Sequence, residues 1–121
     1  MAALLAGLIG CGGGQQVDAD RATVAGIVTL NGEPLPAGTI MFKLAEGHLG
    51  TPTKIREGGR YTTNRAPIGR NLVSIDTESV KFGNPAKHVP IPEEYWDAAT
   101  SGLTADVTAG ENDDVDFALT K

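Results

Sequence analysis

Cysteine is almost missing from this sequence of 121 residues, which contains a single one, Cys11. A single thiol excludes an intrachain disulfide and any metal site built from several cysteines. Basic residues are also few, with 10 Lys and Arg against 15 Asp and Glu, and they are scattered singly. Because nucleic-acid binding requires a basic stripe that neutralises phosphates, the net charge of −5 argues against a nucleic-acid partner.

Segments with a helical period are scarce, whereas glycine and proline are abundant, with 16 and 7 residues. A chain of this length is enough for one domain with one hydrophobic core. Many turns in a chain without helical periodicity favour an all-β domain.

Motifs of the common enzyme classes are missing as well. The sequence has no serine nucleophile elbow, no phosphate-binding loop and no dinucleotide fingerprint. His48 and His88 lie far apart and lack the spacing of metal ligands. Asp113, Asp114 and Asp116 lack the spacing of a calcium loop. Asp114 and Asp116 alternate with Val115 and Phe117, which predicts a solvated strand face instead. We therefore expect a protein that is not an enzyme and holds neither a metal nor a cofactor.

Two alternating apolar runs within residues 23–44 form the stretch around which the chain is organised. In the first run, Val24, Val28 and Leu30 share one face of the strand with Gly26. In the second run, the residues that share one face are Ile40, Phe42 and Leu44. Apolar residues at every second position predict half-buried strands. Asn31 and Gly32 tolerate positive φ, so the pattern predicts a hairpin-like pair of strands joined by a turn.

The same alternation predicts further strands over residues 53–57, 60–63, 70–77, 103–107 and 115–119. The pair Gly58-Gly59 predicts a tight hairpin turn between two of them. Residues 78–100 contain three prolines and depart from the strand pattern, and within them residues 92–99 predict a short helix. About seven short strands with a long loop before the last two predict a single all-β sandwich.

The first residues of the chain are apolar and lead into Cys11. Leu8-Ile9-Gly10-Cys11 resembles a bacterial lipobox, and the apolar run before it has the length of a signal h-region, well short of the about 20 residues that span a bilayer. The resemblance implies a signal peptide over residues 1–10, a lipidated Cys11 with a flexible tether over residues 11–22, and a sandwich domain over residues 23–121. The alternative is a buried apolar segment with an incidental cysteine.

Four segments carry a resemblance to a known family: GIVTLNGEPLPAGTIMF, GRYTT, APIGRNLVSI and the ending IPEEYWDAATSGLTADVTAGENDDVDFALTK. In this order they resemble the carboxypeptidase regulatory-like domain lipoproteins of planctomycete-type bacteria. The resemblance implies a transthyretin-like (prealbumin-like) Greek-key sandwich, export and lipidation, with no established enzymatic activity. Asn71 departs from the pattern, since such domains usually carry an aromatic residue there. A buried asparagine must find hydrogen-bond partners.

Together these features predict a non-catalytic lipoprotein that acts as a structural or binding module, exported and anchored to a membrane on the periplasmic side or the outer face of the envelope. Its expected partners are membrane lipid, through Cys11, and an envelope protein or glycan. Tyr95 and Trp96, beside Glu94 and Asp97, are candidate ligand-binding residues, because aromatic rings next to carboxylates bind sugars or peptides. The alternatives are that the two rings cover the open end of the core, and that the chain is an accessory domain of an envelope hydrolase, by analogy of fold.

Overall fold

The computed structural model describes residues 21–47 and 49–121, so the predicted signal peptide, Cys11, the tether up to residue 20, and His48 lie outside the described residues. The described part forms two β-sheets with almost no helix, which confirms the predicted all-β sandwich. Its strands are β1 (Arg21–Leu30), β2 (Glu33–Pro34), β3 (Gly38–Leu44), β4 (Gly50–Ile55), β5 (Arg60–Pro67), β6 (Gly69–Asp76), β7 (Leu103–Val107), β8 (Glu111–Asn112) and β9 (Phe117–Leu119).

The first sheet is built around β1, which begins at Arg21 and therefore includes two residues that the sequence analysis assigned to the tether. β5 and β2 pair antiparallel with β1 on one side, whereas β8 and β9 pair parallel with it on the other. Val24, Val28 and Leu30 of β1 point into the core and are buried, as their spacing predicts.

The second sheet has the strand order β4-β3-β6-β7, and all of its pairs are antiparallel. The predicted hairpin-like pairing of β1 with β3 is therefore wrong. Asn31 (φ 52°) and Gly32 (φ 87°) do form the predicted tight turn, but it returns only the two residues of β2 against β1. The N–H of Leu35 then donates to the carbonyl of Val28 at 3.0 Å, and the buried Leu35 leads the chain across the core into the second sheet.

The predicted hairpin at Gly58-Gly59 is also wrong, because β4 and β5 belong to different sheets. The 3₁₀ turn Glu57–Gly59 carries the chain from one sheet to the other instead. Gly59 has a φ of 76°, and a Cβ atom there would lie 2.4 Å from the carbonyl oxygen of Val28. Only glycine fits this crossing, since it lacks the atom that would collide.

The core fills the space between the sheets. Phe42 of β3 contacts Tyr61 of β5 and Phe117 of β9, with ring centroids 5.7 Å and 6.3 Å away. Tyr61 and Phe117 contact each other at 6.4 Å, so three rings from three strands hold the two sheets together. The other fully buried large aliphatic side chains are Val24, Val28, Leu35, Ile40, Val73, Ile75 and Leu119.

Asn71 is fully buried on the inward face of β6, close to the corner that joins β5 to β6. Its side-chain amide donates to the carbonyl of Pro67 at 2.9 Å and to the carbonyl of Gly69 at 3.1 Å. Its Oδ1 atom has no hydrogen-bond partner among the described residues. The asparagine thus ties the corner together, in the place where the resemblance led us to expect an aromatic ring.

Residues 77–102 contain no strand, which confirms the prediction for residues 78–100. They hold the short helix α1 (Val80–Gly83) and the 3₁₀ turns Pro85–Lys87 and Glu93–Trp96, the last of which falls where a helix was predicted. Oε1 of Glu78 accepts a hydrogen bond from Nζ of Lys81 at 2.7 Å, and Oε2 of Glu78 lies 3.3 Å from Nε2 of His88. In the part of the chain that the structure describes, helices long and apolar enough to cross a bilayer are absent.

Candidate functional site

The two predicted aromatic ligand-binding residues, Tyr95 and Trp96, differ in their exposure to solvent. Tyr95 is buried, and its hydroxyl accepts from the N–H of Thr120 at 3.0 Å and faces the carbonyl of that residue at 3.3 Å. Its ring therefore covers the core and fixes the end of β9, and it is not presented for stacking on a ligand. Trp96, in contrast, is 39% exposed.

Glu94 and Asp97 lie on the surface beside Trp96, as the sequence predicts. The carboxylate of Asp97 accepts from the N–H of Ala99 at 2.9 Å, and the hydroxyl of Thr100 donates to the carbonyl of Glu94 at 2.8 Å. These bonds fix the backbone of the loop. Ligand binding by Trp96, Glu94 and Asp97 stays a prediction.

A groove that the sequence analysis did not identify lies across the first sheet. It is open to solvent, has a volume of about 610 Å³, and crosses β1 near its middle. Its residues come from three separate parts of the chain. They are Ala25, Gly26, Ile27, Arg56, Arg60, Tyr61, Thr62, Asp113, Asp114 and Asp116.

Gly26 and Val115 shape one edge of the groove. Between β8 and β9 the chain crosses so close to β1 that a Cβ atom at Gly26 would lie 1.9 Å from the carbonyl oxygen of Val115. The hydroxyl of Tyr61 donates to that carbonyl at 2.5 Å, and the N–H of Val115 donates to the carbonyl of Ala25 at 2.9 Å. The crossing is thus fixed by two hydrogen bonds, and a glycine on β1 provides the space for it.

Asp114 and Asp116 are exposed, but they do not lie on the strand that the sequence predicts for them. Residues 113–116 lie outside the strands, and Asp114 has a φ of 59°. Asp116 accepts from the N–H of Ile27 at 2.8 Å, so its carboxylate replaces the backbone carbonyl that a continuous strand would supply. Asp113 and Asp114 are exposed and form the acidic wall of the groove.

The opposite wall is basic. Arg56 precedes the 3₁₀ turn and Arg60 begins β5, and the N–H of Arg56 donates to the carbonyl of Arg60 at 2.7 Å across that turn. Both side chains are exposed. Across the described residues, the guanidinium and carboxylate groups of the groove form no ion pair with each other or with other side chains.

Burial holds Tyr61 in its neutral form. Desolvation, and secondarily the negative charge of Asp116, raise the pKa of the Tyr61 phenol well above its usual value. The hydroxyl therefore stays a hydrogen-bond donor to Val115 at any physiological pH. Within residues 21–47 and 49–121, no group of three His, Cys, Asp or Glu side chains is arranged to hold a metal ion.

Comparisons of the chain with protein-family models, with curated proteins and with solved structures found no match.

Proposed function

We propose that this chain is a non-catalytic binding module of the bacterial cell envelope, exported and anchored to a membrane through acylated Cys11. The lipobox Leu8-Ile9-Gly10-Cys11 supports the anchor. The resemblance of the mature segments to carboxypeptidase regulatory-like lipoproteins supports the same cellular location. The sandwich is a rigid scaffold of the kind on which binding surfaces are carried.

The observation that carries the binding role is the groove with its two charged walls. Arg56 and Arg60 line it from the side of β5, and Asp113 and Asp114 line it from the connection between β8 and β9, on the other edge of β1. Charged groups without an ion-pair partner are ready to bind a ligand of opposite charge. The phenol of Tyr61 is neutral and donates to a backbone carbonyl, so it is unsuited to act as a general base.

The position of the groove is compatible with an anchor at the start of the chain. The tether enters the domain at Arg21, and the groove crosses β1 at Ala25 to Ile27. At about 3.3 Å per residue the groove lies about 13–20 Å along the strand from the entry of the tether.

The anchor is tested by expressing the full chain and its Cys11→Ser variant in a bacterium that processes lipoproteins. We expect the mature protein to lose residues 1–10, to gain the mass of a diacylglycerol on Cys11, and to partition into the detergent phase. The variant should lack the added mass and stay in the aqueous phase, because the thioether needs the thiol. An unprocessed wild-type chain in the aqueous phase would contradict the proposal.

A second candidate function is favoured by the exposure of Trp96, whose neighbours Glu94 and Asp97 are also at the surface. Such a ring can stack on a sugar face or contact a peptide. A glycan and peptide array tests it with wild type, Trp96→Ala and the control Phe82→Ala, since Phe82 is an exposed aromatic residue elsewhere. Signals lost only in Trp96→Ala would support this function, and identical profiles would contradict it.

A further inference from the structure

The groove carries charges of both signs on opposite walls. Asp116 already accepts from the N–H of Ile27, which leaves the carboxylates of Asp113 and Asp114 to bind a ligand. A ligand that carries only negative charge would pair with Arg56 and Arg60 but would be repelled by the acidic wall. Charge complementarity therefore selects a ligand that carries a cation and an anion.

The architecture of the first sheet sets the distance between the two walls. Arg60 lies on β5 at one edge of β1, and residues 113–116 connect β8 to β9, which pair with the other edge of β1. Two strand spacings, about 10 Å, separate β5 from β8 and β9. An extended tripeptide spans about 10 Å, so its free amino and carboxyl ends match this separation.

The floor of the groove limits the side chains of the ligand. Ala25 and Ile27 of β1 are half-buried and provide an apolar surface between the charged walls. Tyr61 is the aromatic residue of the lining, and its ring is packed against Phe42 and Phe117 in the core. Without an exposed ring for stacking, the lining favours a charged peptide with small apolar side chains over a sugar.

We infer that the groove binds a short zwitterionic peptide of about three residues. Its amino group pairs with Asp113 and Asp114, and its carboxylate pairs with Arg56 and Arg60. A volume of about 610 Å³ accommodates a ligand of this size. The inference rests on the proposed binding role and names the class of its ligand.

Calorimetry and NMR titration of the full chain with trialanine test the inference, beside acetyl-trialanine and trialanine amide, which each lack one charge. We expect trialanine to bind with a millimolar or lower dissociation constant, and each capped peptide to bind about five- to tenfold more weakly. Arg60→Gln and Asp114→Asn should weaken trialanine binding by a similar factor. The matched controls Lys54→Gln and Asp106→Asn neutralise exposed residues outside the groove and should leave it unchanged. Affinity should fall as salt is added.

Failure to bind trialanine at about 10 mM would overturn the inference. Equal binding of all three peptides would also overturn it, because the charged walls would then not distinguish charged peptide ends from capped ones. Binding of Ca²⁺ in place of trialanine would overturn it in favour of a cation site. The acylation assay does not involve the groove. A protein that is acylated on Cys11 but does not bind trialanine would therefore contradict the ligand class and not the envelope anchor.

Discussion

The backbone carbonyl of Val115 lies directly over Gly26, where any larger residue would place a Cβ atom 1.9 Å from its oxygen. This single close approach sets the path of residues 113–116. It positions the carbonyl that accepts from Tyr61 and the carboxylate that accepts from Ile27. The acidic wall of the groove therefore depends on a glycine that carries no charge itself.

Gly26→Ala should destabilise the domain by about 1–3 kcal/mol, because the added methyl group must displace the backbone at Val115. Denaturant unfolding measures the change. Gly83→Ala is the matched control, since nothing lies within 4 Å of a Cβ atom there, and it should alter stability by less than about 0.5 kcal/mol. An equally small effect at Gly26 would mean that the crossing is not constrained as described.

Tyr61→Phe should cost about 1–2 kcal/mol at neutral pH, because the carbonyl of Val115 loses its buried donor. The phenol has a pKa raised above its ordinary value of 10.0, so its contribution to stability is complete below that pH. Above it the unfolded chain ionises first, and the contribution falls as the pH rises. Unfolding curves of both proteins from pH 7 to 11.5 should therefore converge above about pH 10. A constant difference across this range would show that burial does not favour the neutral phenol.

Which side chains are buried could be predicted from the sequence, whereas the pairing of strands could not. Val24, Val28, Ile40 and Phe42 follow a period of two that is set locally by the backbone. The turn at Asn31 and Gly32 could also be predicted, because it depends only on the tolerance of these two residues for positive φ. That turn, however, returns only the two residues of β2 against β1, and the next strand, β3, belongs to the other sheet.

The charged groove could not be predicted because its parts are distant in the sequence. Residues 25–27, 56–62 and 113–116 meet only through the pairing of β1 with β5 and the crossing before β9. One signal was available: Gly26 occupies an inward position in an otherwise apolar strand face. A glycine inside a strand marks the close approach of another backbone, and here that backbone is Val115.

Asn71→Ala should destabilise the domain by about 1–3 kcal/mol, because the carbonyls of Pro67 and Gly69 lose their buried donor and a small cavity is left. Thermal and urea unfolding measure the loss. Asn64→Ala, at an exposed position of β5, is the control and should be close to neutral. If both variants were equally stable, the two hydrogen bonds at the corner would contribute nothing measurable.

Protonation of Glu78 should loosen the segment around α1. The hydrogen bond from Lys81, with further help from His88, holds the pKa of this carboxyl below its ordinary value of 4.5. A carboxyl with a lowered pKa contributes its stabilisation above the ordinary value, and this is lost as the pH falls through the lowered one. Hydrogen exchange of residues 79–88 should accelerate in Glu78→Gln at neutral pH. The control Glu46→Gln, at an exposed residue between β3 and β4, should not change it. No acceleration in Glu78→Gln would mean that the contacts of Glu78 with Lys81 and His88 do not order this segment.

Tyr95→Phe should loosen β9 and Trp96→Ala should not, although the residues are adjacent. Tyr95 fixes the chain end through Thr120, so removing its hydroxyl should cost about 1 kcal/mol and increase exchange of the amides of β9. Trp96 is partly exposed, and its replacement should change stability by less than about 1 kcal/mol. Unfolding and amide exchange of both variants measure the difference. Strong destabilisation by Trp96→Ala would assign Trp96 to the core as well, and the 3₁₀ turn Glu93–Trp96 would then have no exposed aromatic side chain for a ligand.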